Sequence, residues 1–303
     1  MNHPWQTYSA AVQNGEIRAI ARCISLVENA VPGYENFLET LPSTRNTPVT
    51  GITGPPGAGK STLVDALIGE MVNSGKKVAV LCVDPSSPFN LGALLGDRVR
   101  MSDWYNHPDV YIRSLATRGS LGGLHPAIIE ITELLKAAPF DHIIVETVGV
   151  GQSEVEITGL SDTTVVVLVP ESGDEIQTMK AGLMEIADIF VVNKGDRPEA
   201  DNFIGNLKLM MGSSGRAWKK TVPVIKTVAS QKSGITELAD ALYAHQQFAH
   251  QPEKRAWLLT ERAFHLLQQQ QMKGFNKAAI RLQIEEALAA NDFNLFRFVK
   301  SIS

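Results

Sequence analysis

Between Pro48 and about His245 the apolar residues fall in short runs, most of them continuous rather than alternating. The runs are Val49–Thr53, Lys77–Asp84, Val110–Ser114, His142–Thr147, Thr164–Pro170, Ile189–Asn193 and Val224–Val228. Ungapped Val/Ile/Leu runs of this length predict strands covered on both faces, as in a mostly parallel sheet. Between them the apolar spacing lengthens to that of helices. Ser61–Asn73 places Leu63, Ala66, Leu67 and Met71 on one face, and Pro126–Ala137, Glu175–Ile186, Asn202–Met211 and Ile235–Ala244 follow suit. The expected fold is α/β: a doubly wound, mostly parallel sheet of the P-loop NTPase type, with helical extensions at both ends. Ligands of such sheets sit at the carboxyl ends of the strands.

The flanks are helical. Val12, Ile17, Ile20, Ala21, Ile24, Leu26 and Val27 recur at helical spacing until Pro32-Gly33, and a second short helix is expected around Tyr34–Thr40. This reads as a packing arm. The polar, proline-bounded stretch Leu41–Pro48 separates it from the main domain. Beyond residue 251, Trp257, Leu258, Ala263, Phe264, Leu266 and Leu267 suggest one amphipathic helix, and Ile280, Leu282, Ile284, Ala287 and Leu288 another, with a break at Lys273-Gly274. That arm is either a dimerisation region or a cap on its own subunit. The expected organisation is therefore an arm over 1–47, a nucleotide-binding domain over 48–250 and a second arm over 251–303.

Composition changes this picture little. The 303 residues are 44% hydrophobic and 20% charged, and a net charge of −4 gives no sign of a nucleic-acid surface. No apolar run approaches a membrane span, the first ten residues lack a signal-peptide core, and Cys23 and Cys82 form no motif. The expectation is a reduced, cytoplasmic protein with neither nucleic acid nor membrane as partner.

The chemistry lies in Gly51–Thr62, GITGPPGAGKST, which fits G-x-x-x-x-G-K-[ST]. Gly54, Gly57 and Gly59 permit backbone angles closed to other residues, so successive N–H groups along Gly54-Pro55-Pro56-Gly57-Ala58-Gly59 can point inward at phosphate oxygens. Proline itself supplies no such donor. Lys60 is expected to reach the β- and γ-phosphates, Ser61 to bind magnesium, and Thr62 to continue the helix whose N-terminal dipole lies under the phosphates.

Asn193-Lys194-Gly195-Asp196 closes a buried strand and fits N-K-x-D, with glycine at the variable position. An aspartate there accepts hydrogen bonds from the ring N–H and exocyclic amine of guanine. Adenine offers no such pair of donors, so the motif points to GTP and GDP. Asn193 and Lys194 are expected to brace the loops around the base. After the last strand, Thr227–Gly234 follows, where Ala229 and Ser230 are candidates to supply an N–H to the guanine oxygen.

Two carboxylates end strands that can lie beside the P-loop: Asp84 and Glu146. Each is a candidate magnesium ligand, directly or through water; the alternative is an ordinary carboxylate capping a helix. Asp97 is a third candidate, and Gly149 can offer its N–H to the γ-phosphate. Gln152 is the candidate for the attacking water. It stands three residues after Gly149, whereas many small GTPases carry glutamine immediately after that glycine; here Val150 holds that position. Slow intrinsic hydrolysis follows as an expectation.

Six segments together resemble the MeaB/ArgK family of P-loop GTPases: Gly54–Thr62, Val83–Pro88, Leu95–Asp97, Glu146–Glu154, Gly173–Gly182 and Asn193–Asp196. They come in family order over about half the chain, the terminal helical arms fit too, and beyond about Gly274 no pattern of the family is matched. It implies a GTPase chaperone, usually a homodimer, for adenosylcobalamin-dependent acyl-CoA mutases, chiefly methylmalonyl-CoA mutase. It also implies that Asp84, Asp97 and Glu146 belong to magnesium and switch regions. Asp174, Gln177 and Lys180 would lie in a further switch that communicates with the mutase. Two other classes are a nickel metallochaperone GTPase and a kinase of an amino-acid transport system. The first wants His/Cys clusters, whereas the seven histidines are scattered and His245 and His250 are the nearest pair. The second wants a protein-phosphorylation site or substrate groove, and no stretch reads as one; against a small-molecule P-loop kinase stand Asn193–Asp196 and the lack of a distinct acceptor-binding lid.

Overall fold

The computed structural model describes residues 5–42, 46–85, 101–118, 124–149, 153–172, 185–213, 222–249, 252–272, 274–289 and 293–302. All seven expected strands are present: β1 Val49–Thr53, β2 Val78–Asp84, β3 Val110–Ala116, β4 His142–Glu146, β5 Thr163–Leu168, β6 Ile189–Val192 and β7 Val224–Lys226. They form one sheet in the order β3-β2-β4-β1-β5-β6-β7, and every pairing is parallel. Strands β1, β2, β4, β5 and β6 are buried along their whole length, which is why their sequences show no alternation. Edge strand β7 is only partly covered. Aspartates just ahead of strands fasten their amino ends: Asp141 accepts from Lys77 N–H at 2.8 Å, Asp162 from Val49 N–H at 2.8 Å, and Asp188 from Thr164 N–H at 3.0 Å.

The chain leaves β1 to build β2, β3 and β4 on one side, then β5, β6 and β7 on the other. The loop after β1 therefore opens at the point where the winding reverses, where such sheets bind ligands. Helix α4 (Lys60–Asn73) begins there and buries Leu63, Val64, Ala66, Leu67, Ile68 and Met71. Leu238 and Leu242 of α8 (Ile235–Ala249) share that core with the sheet. The short turn Ser102–Trp104 covers α4 further: Trp104 Nε1 donates to Asp65 Oδ1 at 2.8 Å. On the opposite face Phe190, Phe203 and Leu207 form a second core beneath α7 (Ala200–Ser213).

The N-terminal run is three helices rather than two: α1 (Trp5–Gln13), α2 (Ile17–Glu28) and α3 (Tyr34–Glu39). A turn at Asn14-Gly15 interrupts the helical spacing that continues across it in sequence. All three pack on α5 (Ile128–Ala137), burying Ile20, Cys23, Ile24 and Val27. Helix α6 (Ser153–Leu160) precedes β5 and was not expected from the pattern. The expected helix 175–186 lies outside the described residues except for its last two.

At the amino end of the sheet His142 is fully buried. Its Nδ1 accepts from the Gln246 amide at 3.3 Å, so Nε2 carries the proton and donates to Thr50 Oγ1 at 2.8 Å. Burial lowers its pKa to about 4, Asp141 opposing the shift.

The chain divides into two compact units, residues 1–258 and 259–303. The second holds most of α9 (Pro252–Met272), then α10 (Lys277–Ala289) and α11 (Leu295–Ile302). The last of these is an addition to the two helices expected. Leu267, Leu282, Leu288, Leu295, Phe296 and Val299 are exposed in this unit, Phe296 to 83%.

Candidate functional site

The P-loop leaves β1 through Gly54, whose φ of 141° is open to glycine. A side chain there would run into the carbonyl oxygen of Val167 on β5. The loop can lie against β5 only because position 54 has no Cβ. Lys60, 6% exposed, is folded back under the loop, its Nζ donating to Gly54 O at 2.9 Å and Pro55 O at 3.1 Å. These carbonyls hold the ammonium against the loop that precedes the α4 N-terminus.

Ser61, one residue on, donates its hydroxyl to Glu146 Oε1 at 2.8 Å, with both side chains buried. Strand register explains the meeting: Glu146 stands beside Ile52 of β1 and Cys82 of β2. Asp84, two residues past Cys82, ends the neighbouring strand and is 3% exposed. Ser61, Glu146 and Asp84 thus reach the same end of adjacent elements. A hydroxyl with two carboxylates is a set of hard oxygen donors, the chemistry Mg²⁺ takes and a soft metal does not. Of the four expected magnesium residues, Ser61, Asp84 and Glu146 form a donor set that fits such an ion, and Asp97 lies outside the described residues.

Beyond Glu146, Thr147 donates to Thr53 Oγ1 at 2.9 Å and ties the strand ends together. Gly149 then turns at φ 81°, and a Cβ there would strike Gly54 O and stand 2.5 Å from Lys60 Nζ. The loop after β4 thus closes directly on the P-loop lysine.

Asn193 is the second organising residue. It is 3% exposed; its Nδ2 donates to Ala58 O at 3.0 Å, and its Oδ1 accepts from Thr227 Oγ1 and from Ala229 N–H, each at 3.1 Å. One amide joins the P-loop, the end of β6 and the loop after β7. Thr227 is a partner of Asn193 that motif reading did not single out. Ala229 N–H is committed to Asn193, so Ser230 offers the next N–H along the short turn Ala229–Gln231. Gly195 is more constrained than its place in the motif suggests. Its N–H donates to Thr227 O at 2.9 Å, and a Cβ would stand 2.6 Å from Lys226 Cγ and 3.1 Å from Thr227 O. Lys194 takes a left-handed φ of 56°, and Asp196 is exposed at the mouth of this loop.

The fold thus brings together Gly54 to Thr62, Asp84, Glu146, Gly149, Asn193 and the Thr227–Ser230 loop. Asp97, Gln152, Asp174, Gln177 and Lys180 lie outside the described residues.

The family model described as methylmalonyl Co-A mutase-associated GTPase MeaB matches residues 20–281. A Pyrococcus abyssi protein named as a GTPase is 49% identical over 241 residues, covering 78% of this chain and 74% of that protein. The GTPase ArgK of Escherichia coli is 34% identical over 295 residues, covering 94% and 86%. A crystal structure of a protein named LAO/AO transport system kinase superposes with a TM-score of 0.71 at 25% identity, over 99% of this chain and 97% of that one. With the P-loop, the strand-end carboxylates and the N-K-x-D loop in one site, the chain belongs to the MeaB family of P-loop GTPases.

Proposed function

We propose that this GTPase is a nucleotide-gated chaperone of an adenosylcobalamin-dependent acyl-CoA mutase, methylmalonyl-CoA mutase foremost, timing cofactor loading and protecting the mutase from inactivation. The observation that carries this reading is the family match over residues 20–281, whose description names that mutase.

In this reading the N–H groups of the P-loop cradle the phosphates of GTP or GDP, and Lys60 exchanges the Gly54 and Pro55 carbonyls for β- and γ-phosphate oxygens. Ser61 would turn from Glu146 to the Mg²⁺ ion, with Glu146 and Asp84 holding that ion directly or through water. Bound Mg²⁺ would neutralise charge on the β- and γ-phosphates. Asp97 would join the magnesium side, and Gly149 N–H would meet the γ-phosphate. Asp196 would accept from the guanine N–H groups and Ser230 N–H would donate to the guanine oxygen. Gln152 is the residue proposed for the attacking water. With valine at 150, hydrolysis would be slow until a partner reshapes that loop. Asp174, Gln177 and Lys180 would form the segment through which the mutase is sensed.

The organisation proposed is a nucleotide domain over 48–250 between arms over 1–47 and 251–303. The exposed Leu282, Leu288, Leu295 and Phe296 support a homodimer formed through the second arm. Among the described residues no helix is long and apolar enough to cross a membrane, and a cytoplasmic location is part of the proposal. The superposed crystal structure carries the name of a transport-system kinase; the N-K-x-D loop and the family match favour the GTPase reading here.

The test is GTP turnover by the purified protein alone and with apo methylmalonyl-CoA mutase, with Lys60→Ala as control. The proposal predicts slow turnover that the mutase accelerates and that the variant abolishes. Turnover indifferent to the mutase would remove the partner and leave the GTPase.

A further inference from the structure

We propose that Glu28, on the last turn of α2, is a positioning residue for the nucleotide site: through Arg118 and Arg113 it fixes the carboxyl end of β3 and the backbone bonded to Asp84. The inference rests on the reading of Asp84 as a magnesium-side carboxylate.

The Glu28 side chain, 14% exposed, sits in a cradle of cations. Arg113 Nη2 donates to its Oε2 at 2.8 Å and to Ser25 Oγ at 3.1 Å. Arg118 Nη2 donates to Oε1 at 3.0 Å and to Asn29 Oδ1 at 3.2 Å, while its Nη1 donates to the main-chain oxygen of Glu28 at 2.9 Å. One guanidinium therefore both pairs with the carboxylate and caps the α2 carboxyl end. His125 closes the cradle. Its Nδ1 accepts from Ala127 N–H at 3.0 Å, so Nε2–H faces Glu28 Oε1 at 3.9 Å. Burial lowers the His125 pKa to about 4; Glu28 opposes the shift and the two arginines add to it.

Two features separate this cluster from ordinary glue for the arm. First, α2 already buries Ile20, Cys23, Ile24 and Val27, so the arm is fastened without Glu28. Second, the cluster stands at the nucleotide end of the sheet. Arg118 holds a left-handed φ of 47°, a conformation that a non-glycine residue keeps only when its surroundings enforce it, and the bonds to Glu28 and Asn29 supply that enforcement. The residue before it, Thr117, donates its N–H to Asp84 O at 3.0 Å, extending the β2–β3 register one step past the Asp84–Ala116 pair. The arm thereby sets Arg118, Arg118 sets Thr117, and Thr117 holds the main chain of Asp84.

The test uses the full chain with Glu28→Ala, Glu28→Asp and Arg118→Ala. Two readouts apply: hydrogen exchange at the Thr117 amide, and release of fluorescent GDP across a Mg²⁺ titration. Both alanine variants should speed Thr117 exchange on the order of tenfold. They should also raise the Mg²⁺ midpoint for GDP retention by roughly tenfold while release in EDTA stays at the native rate. Glu28→Asp should recover part of both effects. An unchanged midpoint in both alanine variants, whatever their melting temperatures, overturns the inference. If Glu28→Ala does not fold, Arg118→Ala decides alone. Asp84→Ala separates the two claims: a native midpoint there removes the magnesium reading of Asp84. A shifted midpoint there beside native values in the Glu28 and Arg118 variants removes only the role of the arm.

Discussion

Replacing Asn193 by alanine should cut affinity for GDP about a hundredfold. The substitution deletes three hydrogen bonds at once: to Ala58 O, from Thr227 Oγ1 and from Ala229 N–H. Ala58 and Ala229 are 0% and 5% exposed, so water replaces the lost partner poorly. At about 1 kcal/mol net for each bond, the loss is about 3 kcal/mol, or roughly two decades in a binding constant. It falls on binding because the three partners belong to loops that must be set before nucleotide arrives. Thr227→Val removes one bond of the three and should cost about 1 kcal/mol, roughly a fivefold effect. Asn193→Asp should bind no better than the alanine variant. It keeps the acceptors but sets an anionic oxygen against the Ala58 carbonyl, now 3.0 Å from the amide nitrogen. The assay is anisotropy of labelled GDP, with thermal unfolding of the nucleotide-free proteins run beside it. Binding by Asn193→Ala within about threefold of native would refute the bracing argument.

Gly149→Ala should lower kcat/KM for GTP by about a hundredfold, because the new Cβ meets Gly54 O and stands 2.5 Å from Lys60 Nζ at a φ of 81°. Steady-state turnover checks it, and a near-native value would show that the loop yields freely. Acid should destabilise the fold through His142. Its folded pKa of about 4 lies below the ordinary 6.5, so the unfolded chain takes up the proton first as pH falls. The stability present above pH 6.5 is lost between there and about 4, by about 3 kcal/mol. Denaturant unfolding of His142→Gln across that window should show a correspondingly flatter slope, and an identical slope would contradict the burial argument.

Strands β1, β2, β4, β5 and β6 were legible because the sheet buries them on both faces, which leaves unbroken apolar runs; the edge strands β3 and β7 are only partly covered, and each of the seven still ends within a residue or two of its expected bounds. The P-loop was legible because its glycines answer local demands, such as the approach of Gly54 to Val167 O. The features that stayed hidden are tertiary. Asn193 and Ala58 are 135 residues apart, and Thr227 joins them from another 34 residues on. Gly195 looked unconstrained because the Lys226 and Thr227 atoms that crowd it come from β7 and the residue after it. Helix α6, eight residues of SEVEITGL, carries no apolar stripe at helical spacing, and α11 is equally short. The break at Asn14-Gly15 was hidden by apolar residues that keep helical spacing on both sides of it. The Glu28 cradle unites α2, β3 and the residues before α5, and no motif connects them.

The central claim is that Asp196 makes this a guanine site, and nucleotide competition with Asp196→Asn tests it most directly. The native protein should bind GTP far ahead of ATP and XTP. The variant should lose GTP and gain XTP, because an amide can donate to the xanthine oxygen that replaces the guanine amine, whereas a carboxylate only accepts. Native GTP affinity in the variant, or ATP competing equally with GTP in the native protein, would contradict the account.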